Sequence, residues 1–161
     1  MSSWNTEAAI DAIGDFLDDL LDAAGFDLEF EISEGEVGVE LISPDILVEF
    51  EGEDLPLLLE NRGELLLALE QLTLEAIRTP HEERYRILFD ADDYRLGRIE
   101  ELQATARVAA DKVRSTGIPF HFQPMTSRER RILHLALRDE PGVKSLSEGM
   151  APQRHTVIHP A

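Results

Sequence analysis

The spacing of apolar residues in the first half of the chain changes from the period of a helix to the period of a strand. They recur every three or four positions over Asn5–Ala24, which predicts an amphipathic helix ending at Gly25. Over Phe26–Ile32 they alternate with acidic residues, as in a strand with one buried face. Residues 37–41 repeat the alternation after a Ser-Glu-Gly turn, and Ile46 resumes it. A helix and a strand hairpin are therefore predicted.

The next segment is mostly helical in pattern. Residues 55–60 favour a short helix and residues 64–78 a longer one, with Asn61-Arg62-Gly63 between them and Thr79-Pro80 as a stop. Residues 84–90 then place apolar side chains at period two, which indicates a strand. The predicted order of the first half is helix, strand, strand, helix, helix, strand.

The second half begins with a long helical pattern from about Asp93 to Ser115. A strand is predicted at residues 118–123, and the capping box Thr126-Ser127-Arg128-Glu129 predicts a helix that reaches about Asp139. Residues 143–147 and 155–158 complete the pattern as two strands. The sequence thus predicts an α+β protein, with two domains that meet near residue 91.

Charge is distributed unequally between these halves. The chain has 33 acidic and 15 basic residues and a net charge of -18. Residues 1–93 hold 26 acidic and 4 basic residues, whereas residues 94–161 hold 7 and 11, so the first part is strongly acidic and the second mildly basic. The acidic part should repel polyanions such as nucleic acid and anionic membranes. Any polyanion is therefore expected to bind the second half.

Several classes of protein are disfavoured by the composition. The absence of cysteine excludes disulfides and thiolate chemistry, and the N-terminus has no leader pattern. The longest apolar runs are far shorter than a transmembrane span, so a cytoplasmic protein with no transmembrane segment is expected. No nucleophile elbow or phosphate-binding loop is visible, and we predict no enzyme activity, cofactor or metal. The histidines match no metal motif: His81, His121, His134, His155 and His159.

One short motif in the second half carries more information. Arg130-Arg131-Ile132-Leu133-His134 places an arginine and a histidine four positions apart, on one face of the predicted helix. Tyr94-Arg95-x-x-Arg98 precedes it, and Ser147-x-Gly149-x-x-Pro152-x-Arg154 follows it. Together these residues resemble the R-3-H domain at the C-terminus of bacterial Jag proteins, also called SpoIIIJ-associated or KhpB proteins. The resemblance covers roughly residues 92–160.

The first half is similar to the type II KH domain that precedes the R-3-H domain in this family. The family's Gly-x-x-Gly loop corresponds to Glu60, Asn61, Arg62 and Gly63, so the first glycine is replaced. The resemblance implies a degenerate type II KH domain (αββααβ) at residues 1–91, packed against a small α/β R-3-H domain at residues 92–161. The family's N-terminal Jag domain is expected to be absent.

The resemblance implies binding of single-stranded RNA, or of DNA as a second option, by the basic face of the R-3-H domain. The residues expected to contribute are Arg130, His134, Arg128, Arg131, Arg95, Arg98 and Arg154. Two structural alternatives remain open, namely that Arg130 pairs with an acid from the first half of the chain and that His134 satisfies a buried carbonyl. Arg154 either completes the basic patch or only supports it.

The loop of the KH-like half is predicted to be inactive toward RNA. Glu60 places a side chain and a negative charge where phosphates would pass, and this favours a scaffold or a protein interface. The family resemblance implies RNA regulation linked to cell elongation or envelope assembly, with a partner KH protein in some cases. The alternative is a protein-binding adaptor whose acidic half binds a basic protein surface and whose affinity for nucleic acid is vestigial.

Overall fold

The chain forms two compact units of mixed helices and strands, Met1–Leu96 and Gly97–Ala161. The computed structural model of the protein describes residues 5–35 and 44–161. The predicted strand at residues 37–41 lies outside these described residues. The α+β fold class predicted from the sequence is confirmed, and the division between the units falls inside a helix, after Leu96.

The first helix, α1, covers Thr6–Ala24 as its periodicity predicts. The side chain of Asn5 accepts a hydrogen bond of 3.0 Å from the backbone N–H of Ala8, which caps the N-terminus. Gly25 ends the helix with a φ of 70°, a left-handed conformation that glycine adopts without steric strain. The buried face of α1 carries Ile13, Leu17 and Leu21.

A three-stranded sheet forms the other layer of the first unit, in the order β1 (Glu29–Glu34), β2 (Ile46–Glu51) and β3 (Ile87–Ala91). β1 is antiparallel to β2, and β2 is parallel to β3. Every residue of β3 is buried, and Phe89 is fully enclosed by the core. The strands predicted near these positions are confirmed.

Helix α2 covers Leu55–Ala76 and is interrupted at Glu60–Gly63, where the sequence predicts a break between two helices. A 3₁₀ helix at His81–Arg86 then leads into β3. Gly63 has a φ of 74°, and a Cβ atom at this position would lie 3.0 Å from Cε1 of Tyr94. Both the backbone conformation and the contact with Tyr94 therefore favour glycine at this position.

A buried polar network joins α2 to β3. Oε2 of Glu70 accepts hydrogen bonds from the backbone N–H of Phe89 and from Nη1 of Arg95, each at 2.9 Å. The side chains of Arg95 and Glu70 are only 11% and 9% exposed. Asp90 accepts hydrogen bonds from the backbone N–H groups of Ala91, Arg95 and Leu96, and burial raises the pKa of its carboxyl group.

The second unit contains two helices and a small antiparallel sheet. Helix α3 (Tyr94–Thr116) leads into it, and helix α4 covers Ser127–Leu137. The strands β4 (Phe120–His121), β5 (Val143–Glu148) and β6 (His155–Pro160) have the order β4-β6-β5. β4 is shorter than the sequence predicts. Among the described helices, none combines the length and the apolarity required to cross a membrane.

Glu70→Gln should lower the free energy of unfolding by about 3 kcal/mol, because it leaves the charge of Arg95 buried without its partner. Glu75→Gln is the matched control, since the Glu75 side chain is 59% exposed beside Arg84 and its loss should change stability by less than about 1 kcal/mol. Urea unfolding followed by circular dichroism measures both values. Equal effects of the two substitutions would contradict this account of Glu70.

Candidate functional site

Helix α4 carries the arginine and the histidine singled out by the sequence. Its N-terminus is held by the predicted capping box: Oγ1 of Thr126 accepts from the N–H of Glu129 at 3.2 Å, and Oε2 of Glu129 accepts from the N–H of Thr126 at 3.0 Å. Arg130 and His134 lie one turn apart on this helix. The cap fixes where the helix starts, and thereby which face these two residues share.

His134 lies between two serines of β5. Its Nδ1 is 2.7 Å from Oγ of Ser145, and its Nε2 is 2.9 Å from Oγ of Ser147. Ser145 and Ser147 are two positions apart on a strand, so both hydroxyl groups point to the same face. With a partner on each nitrogen, the imidazole is fixed in orientation against the sheet.

The electrostatic surroundings of His134 favour its neutral form. Burial lowers the pKa of the imidazole, and the nearby charge of Arg130 lowers it further. A neutral imidazole has one N–H group and one lone pair. One serine hydroxyl therefore accepts a hydrogen bond from the ring, and the other donates one to it.

Arg130 brings a cation to the same place. Its Nη1 donates a hydrogen bond of 3.3 Å to Oγ of Ser147, and its Nε is buried without a hydrogen-bond partner among the described residues. Burial lowers the pKa of Arg130, and the positive charge of Arg154 lowers it further. Arg154 is held by a hydrogen bond of 3.3 Å from Nη1 to the carbonyl of Gly149. Within this unit, no described carboxylate forms an ion pair with Arg130 or Arg154.

The second unit matches a known protein family. Residues 100–160 match the R-3-H domain family. A protein named RNA-binding protein KhpB from Clostridium symbiosum is 30% identical over 89% of this chain, and one from Bacillus subtilis is 38% identical over 66% of it. The chain is a KhpB-like protein with an R-3-H domain. It spans 63% and 52% of the lengths of these two relatives, respectively.

Two arginines predicted for the site are occupied elsewhere. Arg95 lies in the first unit, outside the matched R-3-H region, and forms the buried ion pair with Glu70. Arg98 pairs through Nε with Glu129 and through Nη1 with Glu101, each at 3.0 Å. These guanidinium groups already neutralise carboxylates and stabilise the start of α3. Arg128 and Arg131 flank Arg130 on α4, half-buried and exposed, respectively.

The serines of β5 were only partly visible in the sequence. Ser147 belongs to the motif that carries the R-3-H resemblance, but Ser145 has no such signal. The signal that could have found both is their spacing: two serines two positions apart on a strand place their hydroxyl groups on the same face. The alternative that His134 hydrogen-bonds to a buried carbonyl is wrong, because both of its ring nitrogens contact serine hydroxyl groups.

The replaced loop of the first unit has an unusual backbone. Asn61, Arg62 and Gly63 all have positive φ values, of 51°, 63° and 74°. Glu60, in the place of the family's first glycine, has φ −59° and ψ 150°, a conformation that any residue adopts. The glutamate is therefore compatible with this loop, and what it adds is an exposed negative charge.

The lowered pKa of His134 makes stability depend on pH. Because the folded pKa lies below the unfolded value of about 6.5, the unfolded chain binds protons more readily, and stability should fall as the pH drops below that value. His134→Gln should give a flatter decline in the free energy of unfolding between about pH 7 and pH 5. An NMR titration of the His134 ring with a midpoint at or above about 6.5 would contradict this.

Proposed function

We propose that the chain binds single-stranded RNA through the face of the R-3-H domain formed by Arg130, His134 and Arg154. The observation that carries the proposal is that neither guanidinium group forms an ion pair within its unit: Arg130 donates to the Ser147 hydroxyl, and Arg154 donates to the carbonyl of Gly149. Burial and the charge of Arg154 both lower the pKa of Arg130, so the positive charge of Arg130 is unfavourable there unless an anion neutralises it. A phosphate group supplies that anion and accepts hydrogen bonds from both arginines.

His134 and its serines suit a different part of the ligand. A neutral imidazole that is held at both nitrogens offers an oriented ring face, on which a base of a single strand can stack. The hydroxyl groups of Ser145 and Ser147 lie beside it and can donate to or accept from a ribose. We therefore assign phosphate neutralisation to the arginines and positioning to His134. RNA is preferred over DNA because the similar proteins are named RNA-binding proteins.

The first unit is proposed to be a degenerate KH domain that does not bind RNA. Residues 1–93 carry 26 acidic and only 4 basic residues, so this unit repels a polyanion over distances set by the ionic strength. Its loop adds Glu60 at the surface beside Arg62. A surface of this charge suits a basic protein partner, and we propose protein contact as the role of this unit.

The wider role follows from the similarity to KhpB. We propose a cytoplasmic function in RNA regulation linked to cell elongation or envelope assembly, with a partner KH protein as one candidate for the acidic unit. The competing function is an adaptor that binds a basic protein surface and has lost RNA binding. The acidic first unit favours this candidate, and a chain that binds a basic protein but no RNA would establish it.

Arg130→Gln and Arg154→Gln should each weaken binding of a single-stranded RNA oligonucleotide by about ten-fold, because each removes one charge-assisted hydrogen bond to phosphate. The slope of log affinity against log salt should fall by about 0.7 unit per lost phosphate contact. Fluorescence anisotropy at several salt concentrations measures both effects. Arg107→Gln is the matched control, since Arg107 is an exposed arginine of the same unit outside the proposed face.

These outcomes separate the residues that bind from those that support the fold. Arg98→Gln should lower the melting temperature without changing the salt slope, because Arg98 is paired with Glu101 and Glu129. Unchanged affinity and slope in folded Arg130→Gln and Arg154→Gln variants would refute the proposed face.

Glu60→Gly should leave the RNA affinity of the chain within about two-fold of the original. The substitution restores the spacing of the family's two glycines, but Glu60 already has an ordinary backbone conformation and the strong net charge of the unit hardly changes. Glu60→Gln is the control that removes the charge and keeps a side chain. A large, salt-sensitive gain in affinity for Glu60→Gly alone would show that backbone access had silenced the loop.

A further inference from the structure

A second cluster of polar side chains lies in the sheet of the R-3-H unit, apart from the proposed RNA face. It consists of His121 on β4, Glu148 on β5 and His155 on β6. One potential ligand atom from each residue lies within 4.8 Å of the others. Glu148 is opposite His155 in the register, and it alternates with Ser147, which faces His134. The cluster is therefore on the other face of the sheet.

The tautomer of His155 is set by the backbone. Its Nδ1 lies 3.0 Å from the carbonyl oxygen of Gln153, and a carbonyl can only accept a hydrogen bond. Nδ1 of His155 therefore carries the proton, and in the neutral ring Nε2 carries the lone pair. That lone pair faces the cluster, because Nε2 is the atom that contacts His121. A backbone carbonyl that accepts from one ring nitrogen while the other faces a metal is the usual outer support of a metal-binding histidine.

The distance between the two histidines matches a tetrahedral metal site. Nδ1 of His121 and Nε2 of His155 are 3.3 Å apart. Two nitrogen ligands at about 2.0–2.1 Å from one tetrahedral Zn²⁺ ion are about 3.3–3.4 Å apart. These nitrogens can thus bind one ion without a change in their separation, once the proton shared between them moves to the outer nitrogen of His121.

Glu148 supplies the third ligand. Its Oε1 lies 2.8 Å from Nε2 of His159, which orients the carboxylate. A carboxylate has two oxygens and about four lone-pair positions, so this contact leaves capacity for a metal. Glu148 and His155 are half-buried and His121 is exposed, which leaves the cluster open to an ion from solution.

We propose that His121, Glu148 and His155 form a Zn²⁺ site in the R-3-H unit, with water as the fourth ligand. Two imidazole nitrogens and one carboxylate oxygen are donors suited to Zn²⁺, whereas Mg²⁺ and Ca²⁺ select sites made of oxygen ligands. The ion joins all three strands of the sheet, because each ligand belongs to a different strand. Binding to the folded state alone then stabilises the unit by mass action.

The experiment is a calorimetric titration of the full chain with ZnCl₂, after removal of any affinity tag and treatment with chelator. We expect one ion per chain and a higher melting temperature with Zn²⁺. His121→Ala and His155→Ala should each weaken binding by at least about ten-fold, and Glu148→Gln should also weaken it. His81→Ala is the matched control, because His81 is an exposed histidine of the first unit and should leave the affinity unchanged.

A second measurement separates a metal site from a simple hydrogen bond between the two rings. On addition of Zn²⁺, the ¹⁵N signals of Nδ1 of His121 and Nε2 of His155 should shift, and those of His134 should not. The absence of Zn²⁺ binding by the folded chain, or unchanged affinity in His121→Ala and His155→Ala variants that remain folded, would overturn the proposal. RNA binding is measured separately, with chelator present, and that measurement tests only the proposed RNA face. Failure of one proposal therefore does not imply failure of the other.

Discussion

The candidate RNA face depends on how helix α4 is held against strand β5. His134 contacts Ser145 and Ser147 through its two ring nitrogens, and Arg130 donates to the same Ser147 hydroxyl. Burial beside Arg130 keeps the imidazole neutral, so it accepts one of these hydrogen bonds and donates the other. The arrangement fixes both side chains before any ligand arrives, which reduces the conformational entropy lost on binding.

Some arginines of the chain form ion pairs with carboxylates of the protein, and others do not. Arg95 and Arg98 pair with carboxylates inside their own units, so their charges are already neutralised. Arg130 and Arg154 have no such carboxylate in their unit, and the charge of Arg154 lowers the pKa of Arg130, so an added anion would relieve this unfavourable charge. A count of basic residues in the second half overestimates the binding surface for this reason, since an ion pair within the protein must break before the arginine can bind phosphate.

The small sheet of the R-3-H unit presents different chemistry on its two faces because side chains alternate along each strand. Ser145 and Ser147 of β5 face α4, whereas Glu148 faces His155 and His121. The hairpin between β5 and β6 links the faces: the carbonyl of Gln153 supports His155, and the next residue, Arg154, has a charge that lowers the pKa of Arg130. An ion on one face would thus order the hairpin that positions a cation on the other.

The sequence by itself determined the local elements: α1, the broken helix α2, the capping box of α4 and the shared face of Arg130 and His134. These depend on periodicity and on neighbours within one or two turns, which a single sequence displays. Only the tertiary structure decided that Arg95 pairs with Glu70, that Ser145 holds His134, and that His121, Glu148 and His155 meet. The first of these contacts joins α2 to α3 and the second joins α4 to β5, whereas strand order and register set the third. Apolar patterning marks which face of a strand is buried but leaves its neighbours unspecified.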